Sequence, residues 1–492
     1  MIREALDASS KTFSIARDKT YLFYFVYFAL VLWCIYGITN HIQIFQNHTM
    51  DGTSFGGIVS QIISLKIVLV TFTTLFYNQS SRVIILGIGV ASILVAGTYI
   101  GFYNPVYALS KVDATTISLL FGMALFSTIL GSTNAFEMFT NRLIERFGRF
   151  HFALFVILVL LTYILSLFIN NLTTMLLILP ITLTLTNQLR LKATPFIIGL
   201  IIASNLGGAS SMVGDFPNML IASKMQISFD HFIKYMMPIG LINLGVMLWY
   251  FFYHVDFGVT ADAKTQEFDL KLPEVKIHNQ WAATFSLIIL MVMIFCFIFV
   301  KINPGLVALI GAGILLVFSG VDRKKIIDNI QYEDLLFFIF LFIIVGGVEA
   351  SGLLKTVTKG VLYLSMGNIF LKLIILMWGA CFLTMFFNAG PTTMMFLPMF
   401  LTIHGIEPSS LIFWALSLGV CAGSSGSLNG ATAGPVSSTL LERFAINQRK
   451  FNSNDLLDYQ SYSVVGLPMM YLHLLVSTLY IVLIYWWNMK IL

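Results

Sequence analysis

Residues 207–218 read GGASSMVGDFPN and residues 423–434 read GSSGSLNGATAG, two runs of small residues at an offset of 216 set by Gly214 and Gly430. Neither suits a continuous helix. A glycine inside a helix costs about 1 kcal/mol relative to alanine, and Pro217 and Pro435 open a helical segment more readily than they continue one. Apolar sequence flanks both runs, so each predicts a helix broken in its middle.

Working outward, two more blocks recur in the same order. Asn170–Pro180, NNLTTMLLILP, matches Asn388–Pro398, NAGPTTMMFLP, at an offset of 218, and Leu119–Phe136, LLFGMALFSTILGSTNAF, matches Leu335–Gly352, LLFFIFLFIIVGGVEASG, at 216. Three ordered blocks at nearly one offset indicate an internal repeat. The expected organisation is scaffold helices over 1–114, a first repeat over 115–255, a polar linker over 256–280 and a second repeat over 281–492.

The rest of the composition fits this reading. The chain has 492 residues, 58% apolar and 10% charged, with a mean hydropathy of +0.88; soluble domains carry about 25% charged residues. A soluble enzyme, a disordered chain and a coiled coil are all excluded. Apolar runs of bilayer length begin near Tyr21, Gly56, Val83, Thr115, Phe152, His231, Trp281, Gly305, Leu335, Ile369 and Tyr462, so the predicted fold is an all-α polytopic membrane protein of about eleven spans. The net charge of +5 reports topology rather than nucleic-acid binding, because its placement is uneven. Arg3, Lys11, Arg17 and Lys19 precede the first span, whereas 39–54 has no Lys or Arg; the N-terminus is expected to be cytoplasmic, in a bacterial-type inner membrane, with the first span retained. Cys34, Cys296, Cys381 and Cys421 show no metal or disulfide spacing.

One stretch defies simple span counting. Phe152–Thr186 is interrupted by Asn170-Asn171, yet Arg149 flanks one end and Arg190 with Lys192 the other. Both flanks on one side make it a re-entrant hairpin with its tip at 170–174, and non-helical backbone at that depth is tolerated only in protein or beside a wet cavity. The mate tip is expected near 388–393. Hairpin tips and broken helices together are the elements from which secondary carriers build midplane sites. Asn and Ser/Thr oxygens and freed carbonyls suit a hard cation such as sodium, while half-helix N-termini suit an anion. The expected ligands are Asn170, Asn171, Thr173 and Thr174 with Asn205, Gly208, Ser210, Ser211, Asp215 and Asn218 in the first half. In the second half they are Asn388, Thr392 and Thr393 with Ser424, Ser425, Ser427 and Asn429, and a sodium ion is expected at each tip, Asn170 and Asn388. Small residues also serve tight helix packing, which remains the alternative for any one motif.

LLFGMALFSTILGSTNAFEMF, NNLTTMLLILP and, above all, SNLGGASSMVGDFPNMLIAS resemble the ion-transporter superfamily of arsenite permeases, D-type sodium/proton antiporters and the melanosomal P protein. The resemblance implies inverted repeats, a homodimer, a scaffold and a mobile transport domain. It also exposes two departures: Asn170-Asn171 stands where many relatives have Asp-Asn, and Ser132-Thr133-Asn134-Ala135 where they often have Ser-Glu-Thr-Gly. The remaining acids at depth are Asp215 and Glu349, each a candidate proton site, with Glu137 near a span end. Lys66 reads as a snorkelling residue.

The expected function is therefore a secondary active carrier of a small anion or metalloid, coupled to sodium or protons, with no other cofactor. A sodium/proton antiporter using Asp215 is the alternative, and a passive channel a remote one. No HExxH, GxSxG or GxxxxGK[ST] motif occurs, which argues against an intramembrane enzyme or an ATP-driven pump.

Overall fold

The computed structural model describes residues 55–78, 81–134, 138, 140, 142, 151–189, 191–258, 279–300, 302–328, 330, 332–406, 410–447 and 457–491. The expected first span from Tyr21, Glu137 and most of the 256–280 linker lie outside the described residues. In chain order the helices begin with α1 (Phe55–Tyr77), α2 (Arg82–Ile100), α3 (Pro105–Ser110), α4 (Ala114–Gly131), α5 (His151–Ser166) and α6 (Asn171–Gln188). They continue with α7 (Ala193–Ser210), α8 (Phe216–Met225), α9 (Phe229–His254), α10 (Gln280–Phe295), α11 (Pro304–Phe318), α12 (Arg323–Asp328) and α13 (Tyr332–Ala350). The last are α14 (Leu353–Leu364), α15 (Ile369–Phe387), α16 (Ala389–Ile406), α17 (Leu411–Ser424), α18 (Gly434–Asn447) and α19 (Tyr459–Ile491). No strand occurs among the described residues.

Eight of these are long and apolar enough to cross a membrane, or nine if α13 and α14, bent by 69° at Ser351-Gly352, count as one span. The fold is thus an all-α polytopic membrane fold. The expected runs at Phe152 and Gly305 are helical but short, 16 and 15 residues. At 1.5 Å per residue α5 reaches about 24 Å, less than the roughly 30 Å hydrocarbon core, as a hairpin arm should.

The chain forms two compact units. One holds the described residues up to Val112 together with Leu336–Val357. In it Tyr103 donates its hydroxyl to Ile343 O at 2.8 Å and Lys111 pairs with Glu349 at 3.0 Å; Lys66 is exposed on α1. The other unit holds Asp113–Leu335 and Thr358–Leu492, and it contains both hairpins and both broken helices. The first repeat block is therefore divided: α4 lies in the second unit and its mate α13, from Leu336 onward, in the first.

Local chemistry sets the element ends in the second unit. Asp113 caps α4 by accepting from Thr116 N at 2.7 Å, and Asn170 caps α6 by accepting from Thr173 N at 2.7 Å. The arm α5 is fixed to α7 and α9 by a ring cluster in which Phe155 lies 4.9 Å from Phe251, 5.6 Å from Phe196 and 5.0 Å from Phe257. Buried Trp414 of α17 stacks on Tyr235 of α9 at 5.6 Å and meets Phe232 edge-on at 5.2 Å. The half-helices exchange partners: α8 of the first half packs on α16 of the second, and α18 packs on α6.

Candidate functional site

The described helices are interrupted beside Asn170 and at Asn388, and within the two runs of small residues. The first hairpin breaks over Leu167–Asn170, so Asn171, Thr173 and Thr174 occupy the first turn of α6 rather than the loop. The second breaks at Asn388 alone, whose φ of +73° reverses the chain, and Thr392 and Thr393 lie within α16. The Asn170 side chain satisfies the Thr173 N–H, one of the free donors of the first turn, and the helix starts at Asn171, inside the expected tip. The helix breaks span 211–215 and 425–433.

Each break is clipped to its own hairpin in the same way. Ser211 donates its hydroxyl to Leu167 O while accepting from Gly214 N at 3.0 Å. Ser427 donates to Met385 O while accepting from Gly430 N at 2.9 Å. The serines and glycines are related by 216 positions and the carbonyls by 218, the offsets of the sequence blocks. The packing behind the clips repeats too: a Cβ on Gly207 would strike Tyr163 O and the Ser166 side chain, and one on Gly423 would strike Cys381 O and the Thr384 side chain. These glycines are required by close backbone approach.

Among the described residues the fully buried asparagines, by contrast, all lie in the first half. Asn171, Asn205 and Asn218 are 1%, 2% and 1% exposed. Asn171 accepts from Ser166 Oγ at 2.6 Å and donates to Asn205 Oδ1 at 3.3 Å. Asp215 accepts from Phe216 N at 2.9 Å, capping α8. Gly208 lies wedged between Asn171 and Asp215, where a Cβ would come within 2.6 Å of the amide oxygen. Ser210 accepts from the Tyr163 hydroxyl at 2.8 Å. Asn218 donates to Gly208 O at 3.1 Å and Ser211 O at 3.0 Å, holding the break open as a fixed loop.

Several side-chain bonds join the halves, among them Cys421 Sγ to Asn205 O at 3.7 Å, Asn243 Nδ2 to Ser477 Oγ at 3.3 Å and the Tyr480 hydroxyl to Tyr235 O at 2.6 Å. Asn205 Nδ2 donates to Ser424 O at 3.1 Å, and Ser417 Oγ donates to Asn218 Oδ1 at 2.6 Å. In the second half Asn388 Nδ2 donates to Asn429 O at 3.2 Å, Thr393 Oγ1 bonds back to Ala389 O at 2.8 Å, and Ser425 Oγ lies 3.5 Å from His473 Nδ1. Buried Thr392 Oγ1 has no hydrogen-bond partner among the described residues.

Charges are distributed unevenly. Asp113 pairs with Lys224 at 2.8 Å, and Lys192 with Asp256 at 2.7 Å. Glu349 pairs with Lys111, whose ammonium is held above the usual lysine range: burial opposes that shift, and contacts with Tyr107 and Glu349 outweigh it. Asp215 forms no ion pair among the described residues and accepts from Phe216 N instead. Glu349 lies in the other compact unit. No group of three or more His, Cys, Asp or Glu residues that could hold a metal occurs among the described residues.

Ser166, Tyr163, Ser417 and Cys421 were not among the expected residues. Ser417 lies seven residues before Ser424 on the same helix face, a spacing that could have revealed it. Tyr163 and Ser166 lie inside an apolar arm, with no local signal.

Known proteins provide the remaining context. The sequence pattern of the citrate transporter family matches residues 67–419. The magnetosome protein MamN of Paramagnetospirillum magneticum is 31% identical over 445 residues, covering 85% of this chain and 98% of its own. The P protein of Sus scrofa is 22% identical over 455 residues, covering 75% of this chain and 53% of its own. The crystal structure of the Alcanivorax borkumensis YdaH transporter matches with a TM-score of 0.53 at 13% identity, covering 80% of this chain and 88% of that one, a likeness of fold. The match along most of the chain, with these broken helices inside a polytopic fold, makes this protein a member of the citrate transporter family.

Proposed function

We propose that the protein is an ion-coupled secondary carrier that moves a small anion by alternating access, driven by sodium or protons, through a site between the hairpin tips and broken helices. The observation that supports it is the duplicated clip. Two interrupted helices, each tied to its own hairpin and bonded to the other through Asn205 and Ser417, supply freed carbonyls for a cation and half-helix N-termini for an anion. A carboxylate such as citrate is the first substrate class to test, with arsenite and other inorganic ions beside it. Opposed orientation of the repeats, a cytoplasmic N-terminus in an inner membrane, and a homodimer belong to the same proposal.

The second reading is a sodium/proton antiporter, and what favours it is Asp215, a carboxylate within a helix break. Uptake of labelled citrate and arsenite into proteoliposomes under imposed sodium or proton gradients tests both. The carrier reading expects gradient-driven accumulation of one of them. Sodium/proton exchange without any such accumulation, abolished in Asp215→Asn, would replace it with the antiporter.

A further inference from the structure

Two polar atoms deep in the second unit, Asn243 Oδ1 on α9 and His473 Nε2 on α19, have no hydrogen-bond partner among the described residues, although their residues are only 3% and 1% exposed. The other ends of both side chains are engaged. Asn243 Nδ2 donates to Ser477 Oγ at 3.3 Å, and His473 Nδ1 lies 3.5 Å from Ser425 Oγ, the first residue of the second break. Ser477 stands one turn beyond His473 on the same face of α19, so the amide and the imidazole meet at one place between α9 and α19. The two helices correspond in the two halves, with an interior proline five residues before each of these side chains, Pro238 before Asn243 and Pro468 before His473. The same face of α19 presses on the break: a Cβ on Gly466 would come within 2.7 Å of Ser425 O.

An amide oxygen only accepts, and an imidazole nitrogen donates or accepts according to which ring nitrogen carries the hydrogen. One water satisfies either form, because it donates to Asn243 Oδ1 and then accepts from an N–H or donates to a bare nitrogen. Buried groups of this kind are costly when left unsatisfied, and an internal water is their usual remedy. We propose that a bound water lies between Asn243 Oδ1 and His473 Nε2, and that through it His473 is a positioning residue that seats the second helix break on the first half. Two consecutive residues where α17 ends are then held from that half by separate routes: Ser424 O by Asn205 Nδ2 at 3.1 Å, and Ser425 Oγ by His473, the water and Asn243. The water stands without the carrier reading; only its effect on uptake rests on it.

The test is X-ray hydroxyl-radical labelling of the purified full-length protein in detergent, in which radicals formed from a bound water oxidise the side chains beside it even where bulk solvent does not reach. His473 should be oxidised at least fivefold faster than Met123, which is buried on α4. The label should fall to the Met123 level in Asn243→Leu and persist in Asn243→Asp, which keeps an oxygen in place and so separates a lost water from a lost fold. Uptake into proteoliposomes of labelled citrate or arsenite, whichever the wild type accumulates, should slow at least fivefold in His473→Leu and recover in His473→Gln, whose amide can bond at both ends. An unlabelled His473, a label that persists in Asn243→Leu, or uptake as slow in the glutamine variant as in the leucine one would overturn the proposal. A labelled His473 in a wild-type protein that accumulates neither compound would instead overturn the carrier reading and leave the water in place.

Discussion

Ser417 and Asn218 lie 199 positions apart in the chain, and the serine hydroxyl donates to the asparagine side-chain oxygen at 2.6 Å. Both are buried, so the bond joins the second half's α17 to the start of the first half's α8 where water cannot substitute for it. Ser417→Ala would leave a buried acceptor without its donor, a penalty of about 1–3 kcal/mol. Expected are a lower melting temperature and a slower transport rate, measured by thermal denaturation in detergent and initial uptake. An unchanged melting temperature would show that Asn218 finds another partner.

Gly207 and Gly423 are predicted to tolerate no side chain. Alanine at either would press on a carbonyl, Tyr163 O or Cys381 O, and overpacking of this kind costs about 1–3 kcal/mol or more. Gly313 faces open space, so Gly313→Ala serves as the tolerated control. Size-exclusion profiles of the three variants should separate them.

Asn388 combines a conformational and a bonding role that substitution can divide. Its φ of +73° favours glycine, while its side chain reaches Asn429 O. Asn388→Gly should fold nearly as well as the wild type but raise the substrate KM. Asn388→Ala should lose on both counts, by about 1–3 kcal/mol of backbone strain beyond the lost hydrogen bond. Equal melting temperatures for the two would show that strain plays no part.

Asp113 gives the fold an acid-sensitive joint. Burial alone would raise its carboxyl, but the Lys224 ammonium and the Thr116 N–H outweigh that and hold it below the ordinary value near 3.8. Ser223 donates to the same carboxylate at 2.9 Å. Because the folded-state value is depressed, the stabilisation is complete above the ordinary carboxylate value and disappears as pH falls through the lowered one. Asp113→Asn should cost on the order of 1 kcal/mol at pH 7, and the gap to wild type should close in acid. Melting curves at pH 7 and pH 3 measure it.

Much of this architecture was legible because breaks and tips are written in residue types. Glycine, proline and asparagine mark them at both offsets, and the hairpins and interrupted helices lie where those residues occur. What escaped was anything set by which face meets which. Ser417 and Tyr163 carry no composition signal, since a hydroxyl in an apolar helix reads as packing until its partner is known. The division of the first block was equally hidden: α4 and α13 look alike in sequence, yet contacts assign them to different units. Lys111 lies outside both matched blocks, so its pairing with Glu349 could not be read from either.

The serine clips bear on ancestry. A duplicated gene begins with two identical copies, so what both halves still hold, a serine spanning a glycine N–H and a hairpin carbonyl, is what the undivided precursor had. The carboxylate and its three amides, held by one copy only, were gained there or lost from the other. The same frame thus forms around a break that holds a charge and around one that does not, and exchanging the unshared residues between the copies should transplant the chemistry without rebuilding the frame.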